Sequence, residues 1–181
     1  MGRGRGKGKL SDTESVASPR WIAGSRRGTL GAMSVVVSTR AIKSPPVRPA
    51  EVRRRAERML AALRMESAEL SILLCDDATI HELNREYRKK DKPTDVLAFA
   101  MREGEGGALH PALLGDVVIS METARRQARE HDKTVSAEVT YLLAHGLLHL
   151  LGYDHRTDAE DRVMRARTDA LCAAAIASRG E

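Results

Sequence analysis

The segment from His145 to His155, HGLLHLLGYDH, carries three histidines at offsets of zero, four and ten, with a glycine at offset seven. Side chains four residues apart on an α-helix share one face, about 6 Å from each other, so His145 and His149 point the same way and can share an ion. Gly152 stands where a helix can end in the left-handed conformation, and a chain reversal there brings His155 back towards the first two. A lone histidine on an apolar helix is ordinarily a core or boundary residue. Three at this spacing, with a glycine placed to turn the chain, make His145, His149 and His155 the expected ligands of one zinc ion. Three imidazoles leave the fourth tetrahedral position open, as in catalytic sites. A structural zinc recruits a fourth protein ligand, usually cysteine, and neither Cys75 nor Cys172 is near the segment in sequence.

The same spacing occurs in the metzincin proteases, whose pattern is H-E-x-x-H-x-x-G-x-x-H. The histidines and the glycine coincide, but Gly146 stands where a protease places the general base. A metzincin-like zinc helix without its glutamate points away from peptide hydrolysis. A protease would need a carboxylate entering the cleft from elsewhere.

Around this segment the chain reads as an α+β domain: a small mixed four-stranded sheet packed with about five helices. The expected strands are Ser34 to Thr39, Leu70 to Leu74, Val96 to Met101 and Val117 to Ser120. Pro45, Pro46 and Pro49 precede a helix from about Ala50 to Leu63, with Val52, Ala56, Met59, Leu60 and Leu63 at helical spacing and its arginines on a solvated face. The next helix ends near Tyr87 and is capped by Asp77 or Thr79, with Glu82 completing a capping box on Thr79. A glycine-rich loop, Gly104 to Gly107, separates the last two strands. Three helices follow, Met121 to Glu130, Ser136 to Leu151, and Ala159 to about Ala177. The middle one has a broad apolar face of Val139, Leu142, Leu143, Gly146, Leu147 and Leu150 and carries its ligands on an edge opening to a cleft.

Charge enters because a net +5 over 181 residues suggests a nucleic-acid partner. Residues 1–32 hold seven of the 30 basic and two of the 25 acidic residues, leaving 23 of each in the remainder, so the excess belongs wholly to the opening segment. That segment, rich in Gly, Arg and Ser and without hydrophobic periodicity, is expected to be a disordered basic tail, with Met33 as a candidate start of translation. A basic arm can also hold RNA nonspecifically. The domain proper is then 33–181. Two cysteines almost a hundred residues apart suggest no disulfide framework. No apolar run approaches the roughly twenty residues needed to cross a bilayer, so the expectation is a cytoplasmic chain without a membrane partner.

A second cluster, NREYRKKDKPTDVLAF from Asn84 to Phe99, places Arg85, Arg88, Lys89, Lys90 and Lys92 within eight residues at a helix end. Clustered cations favour phosphate, and arginine engages two phosphate oxygens at once. Such a run is also what a solvated helix end looks like. Taken together, Asn84 to Phe99, Leu114 to Ser120 (LGDVVIS) and His145 to His155 resemble the YbeY family of bacterial rRNA-maturation endoribonucleases, over about residues 33–181.

The resemblance implies zinc held by His145, His149 and His155, Arg88 as the functional arginine facing the same cleft, and His145 as catalytic with it. It further implies a single-stranded RNA substrate, 16S rRNA 3′-end processing with small-subunit quality control, and small ribosomal subunit components as partners. Ala98 departs from the usual serine, His131-Asp132-Lys133 from the usual Gly-His-Ser, and Arg167-Thr168 from a usual Leu-Gln pair. A noncatalytic ribosome-assembly factor with a structural zinc is the alternative from another class. Asp154 reads either as an orienter of a ligand imidazole or as a turn residue, and Tyr153 as cleft wall or packing. Asp95 and Asp116 read as capping or turn residues. His81, His110 and His131 have no ligand spacing and stand outside the expected site.

Overall fold

The computed structural model describes residues 33–101 and 112–177. The expectations for the tail, for Met33 as a start, for the Gly104 to Gly107 loop and for His110 lie wholly or partly outside them. Among the described residues four strands form one sheet in the order β1-β2-β4-β3: β1 (Ser34–Thr39), β2 (Glu69–Cys75), β3 (Val96–Ala100) and β4 (Leu113–Ser120). β1 and β4 run parallel to β2, and β3 is antiparallel to β4. The helices are α1 (Pro49–Ala62), α2 (Asp77–Arg88), α3 (Met121–Glu130), α4 (Val135–Leu150) and α5 (Asp158–Ile176). The mixed sheet and five helices agree with the expected α+β class.

Period-two alternation divides the core between the sheet's two faces. Leu70, Ile72 and Leu74 of β2, Val96, Ala98 and Ala100 of β3, and Val117 and Ile119 of β4 join one cluster with α1, α3, α4 and α5. Leu73, Cys75, Leu97, Phe99 and Val118 face the opposite way, against Ile80, Leu83 and Tyr87 of α2. α4 is the central helix, with twelve of its sixteen residues buried. Its apolar character on nearly every side follows from packing on the sheet, α1, α3 and α5 together.

Local chemistry departs from the sequence reading in three places. The cap of α2 is Asp76, whose carboxylate accepts the Thr79 N–H at 2.9 Å. Neither Asp77 nor Thr79 caps the helix, and the capping box expected from Glu82 is absent. Three candidate oxygens lie within four residues, and the first takes the position because Asp77 is drawn to α3, accepting from the hydroxyls of Ser120 and Thr123 and from Arg126 Nη1. The reciprocal box forms instead on α5, between Thr157 and Glu160.

The second departure is α1, whose arginines are not all solvated. Arg55 donates to the Ser136 carbonyl at 2.7 Å and to the Thr140 hydroxyl, and Arg58 donates to the Ala175 carbonyl at 3.0 Å, tying α1 to α4 and α5. The third is β4, which begins four residues earlier than expected. Its Gly115 has φ +137°, and a Cβ there would stand 2.1 Å from the Phe99 carbonyl oxygen, so a glycine that reads as a strand breaker is what lets β3 pair closely.

Candidate metal centre

α4 brings His145 and His149 onto one face, and its end returns His155 to them. Leu151 caps the helix and Gly152 follows at φ +87°. The Gly152 N–H donates to the His149 carbonyl at 3.0 Å and the Tyr153 N–H to the Leu148 carbonyl at 3.1 Å, the paired bonds of a Schellman turn. Nothing approaches the place of a Cβ on Gly152, so the requirement for glycine is one of conformation alone.

The three imidazoles converge. One nitrogen from each lies within 4.8 Å of the others, and the ring centroids are 4.8, 5.8 and 5.3 Å apart for the 145–149, 145–155 and 149–155 pairs. The Nε2 atoms of His145 and His149 are separated by 3.2 Å. Two nitrogens bound to a tetrahedral zinc at 2.0–2.1 Å stand about 3.3 Å apart, so this spacing suits an ion between them. Nε2 of His155 is buried with no hydrogen-bond partner. A buried polar atom left in that state is costly unless something else occupies its lone pair, and a cation does so.

Electrostatics keep two of the ligands neutral. Burial, then the neighbouring His155, pushes His145 down to about 4, against the opposing pull of Asp95 and Asp161. Burial lowers His149 further, to about 3, with His145, His155 and Arg88 acting in the same direction and Asp154 against them. Both rings therefore offer free lone pairs at neutral pH.

Arg88 is the last residue of α2, and its Nε and Nη2 are buried. Its charge is among those that lower the His149 pKa, although α2 lies on the other face of the sheet from most of α4. The following loop is tied back to α2: Asn84 donates to the Lys92 carbonyl at 2.7 Å, the Lys90 N–H donates to the Asn84 carbonyl at 3.2 Å, and His81 Nε2 meets Asp91 Oδ1 at 2.8 Å. Arg85, Lys89 and Lys92 are exposed, and Lys90 is half-buried. His131 pairs with Glu138 at 3.4 Å, so neither His81 nor His131 joins the ligand group.

Asp154 has the contacts of a turn residue, its Oδ1 accepting the His155 N–H at 2.8 Å and its Oδ2 receiving Arg156 Nε, and its charge also acts on His149. Tyr153 packs on the core, with the Arg167 guanidinium 4.9 Å from its ring centroid, which gives the unusual Arg167 a place. Ala98 lies in the core on the α4 side of the sheet. Asp95 and Asp116 are fully buried, which the sequence reading missed. The sequence signal for Asp95 was its position between a threonine and a strand, a pattern that turn residues share.

Gly146 takes on a second meaning. A Cβ there would lie 2.8 Å from Val117 Cγ1 and 3.1 Å from Val96 Cγ2. The position reserved for the base in a protease therefore faces the sheet here, in direct contact with β3 and β4.

Comparison with known proteins decides the lineage. The family model described as Endoribonuclease YbeY matches residues 39–175. The chain belongs to the YbeY family. A member from Syntrophotalea carbinolica is 52% identical over 120 residues, covering 65% of this chain and 80% of its own length. Another, from Geobacter metallireducens, is 46% identical over 137 residues, covering 75% and 91%. Both carry the name Endoribonuclease YbeY. A solution structure from Thermotoga maritima shares the fold at a TM-score of 0.56 and 22% identity, covering 78% of this chain and 88% of that one.

Proposed function

We propose that the chain is a metal-dependent endoribonuclease of rRNA maturation, with zinc on His145, His149 and His155 and Arg88 acting on the scissile phosphate. Membership of the endoribonuclease family supplies the reaction class. The observation that carries the site is the convergence of three imidazoles, two of them held neutral, with the partly buried Arg88 guanidinium acting electrostatically on His149.

A bound zinc would supply a Lewis acid for phosphodiester hydrolysis. The residues of the chain do the rest. His145, His149 and His155 would hold the ion through their ring nitrogens, two of them on imidazoles kept neutral by burial. Arg88 orients the phosphate through its fork of donors and stabilises the negative charge that grows on the phosphoryl oxygens, a contribution that needs no protonatable base. Lys89, Lys90 and Lys92 lie on a loop pinned by Asn84 and extend the positive surface along the RNA backbone. The contact of Gly146 with the sheet weighs against a protease, since a glutamate there would point into Val117 and Val96.

The finer assignments follow the family resemblance: single-stranded RNA near the 3′ end of 16S rRNA as substrate, small ribosomal subunit components as partners, small-subunit quality control as the setting, and the cytoplasm as location. Among the described residues no helix is long and apolar enough to cross a membrane. The test measures metal content and cleavage of a defined single-stranded RNA on the same samples. His145→Ala should lose both, whereas Arg88→Glu should keep its metal and lose cleavage. A carefully purified His145→Ala that cleaves as wild type does would assign the cleavage to a contaminant. Folded metal-site variants that still support rRNA maturation would establish a noncatalytic assembly factor instead.

A further inference from the structure

Among the described residues the Phe, Tyr and Trp side chains are those of Tyr87, Phe99, Tyr141 and Tyr153. Phe99 and Tyr87 belong to the apolar cluster under α2 and Tyr153 packs on the larger one, but Tyr141 belongs to neither. It is half-buried on α4, one turn before His145, and its ring lies almost parallel to that imidazole, at 13° with the centroids 6.3 Å apart. His145 is in turn within 24° of parallel to His155, so Tyr141 extends the run of rings from the metal centre along the helix. Lys133 Nζ lies over the Tyr141 ring, 5.0 Å from its centroid. That side chain is 44% exposed and comes from the turn between α3 and α4, so this face of the ring is covered by a solvated ammonium and not by packed apolar atoms. A cation at an exposed site holds a ring weakly, and the ring can exchange it for a flat partner. Lys133 Nζ also lies 3.9 Å from Oε2 of the buried Glu138, a counter-charge that remains to it when it leaves the ring.

We infer that Tyr141 is a substrate-binding residue for RNA: its ring, next to His145 and outside the apolar core, stacks an unpaired nucleobase of a nucleotide flanking the phosphate at the metal centre. The inference rests on reading the histidine centre as the place where RNA is cleaved. Single strands are held by stacking their bases on aromatic side chains, and every base has a π face, so such a contact tolerates any sequence. It does not tolerate pairing, because a base within a duplex has both faces occupied by its neighbours. Tyr141 thus supplies a physical reason for a preference for single strands at this site.

The experiment uses zinc-loaded full-length protein and a defined single-stranded RNA whose cleaved phosphate has been mapped, beside copies of that RNA lacking one base at a time on either side of the phosphate. Tyr141→Leu, apolar but without a π face, should keep its zinc and lose about five- to a hundredfold in kcat/KM, chiefly through KM, because a stacked base is held alike before and during the reaction. Tyr141→Phe, which keeps the ring, should recover most of that loss. Removing the base that Tyr141 holds should cost wild type a similar factor and leave Tyr141→Leu no worse than wild type on that RNA. Loss of zinc from Tyr141→Leu, or an equal loss of cleavage on all the RNAs, marks a merely structural tyrosine and overturns the inference. Cleavage by Tyr141→Leu at the wild-type rate overturns it too, with the histidine site left intact. If Tyr141→Leu does not fold, wild type alone decides: a loss on removing one flanking base supports the inference, and indifference to every flanking base overturns it. Failure of zinc-loaded wild type to cleave RNA overturns the reading of the site and the inference with it.

Discussion

Replacing Gly146 by alanine sets two effects of opposite sign against each other. In a helix interior open to solvent, the change would stabilise by about 1 kcal/mol through helix propensity. Here the added methyl meets Val117 Cγ1 at 2.8 Å and Val96 Cγ2 at 3.1 Å. Those contacts lie on side chains that cannot give easily: Val117 is completely buried, Val96 nearly so, and β-branched residues are stiff at χ1. Overpacking of this kind costs about 1–3 kcal/mol. The net expectation is destabilisation of roughly 0–2 kcal/mol after the propensity gain is deducted. Urea unfolding of the metal-free protein measures it without linkage to zinc. The double variant with Val117→Ala removes the nearest clash, so its cost should fall short of the sum of the single costs by about 1 kcal/mol. Gly146→Glu should be worse, because a carboxylate would be forced between the helix and two apolar strands. A gain of about 1 kcal/mol in Gly146→Ala, with strict additivity in the double variant, would mean that α4 does not approach the sheet as described.

Gly152→Ala should cost about 1–2 kcal/mol, from the left-handed backbone alone, and should weaken zinc binding by displacing His155; an unchanged melting temperature and zinc affinity would contradict the turn. His155→Ala should lose zinc with little change in the stability of the metal-free protein, since it removes a half-buried ring whose Nε2 makes no hydrogen bond; a metal-free variant that unfolds far more easily than wild type would give the ring a packing role. Asp77 makes stability depend on acid. Burial raises its carboxyl, but hydrogen bonds from Ser120, Thr123 and Arg126 outweigh burial and hold it below the unfolded value of 3.8. Its contribution is therefore present above 3.8 and lost as pH falls through the lower folded value, so the difference between wild type and Asp77→Asn should shrink in strong acid. A difference independent of pH would remove the carboxylate as its cause.

The parts of this protein legible in its sequence are those fixed by short-range geometry. Helical spacing placed His145 beside His149, and the conformational freedom of Gly152 returned His155 to them. Competition among equals was harder to read. Asp76, Asp77 and Thr79 all have the chemistry of a helix cap, and only the position of Ser120, Thr123 and Arg126, more than forty residues away, shows that Asp77 is engaged elsewhere. The sheet order and the early start of β4 depend likewise on partners remote in sequence, as does the burial of Asp95. Gly146 joins the two kinds of information. In sequence it was a missing catalytic base and a member of an apolar face. In the fold the second property bears on the first: α4 lies so close to Val96 and Val117 that even a Cβ at this position would crowd both side chains. A glutamate at this position would have to press its chain between the metal helix and the two strands on which that helix is seated.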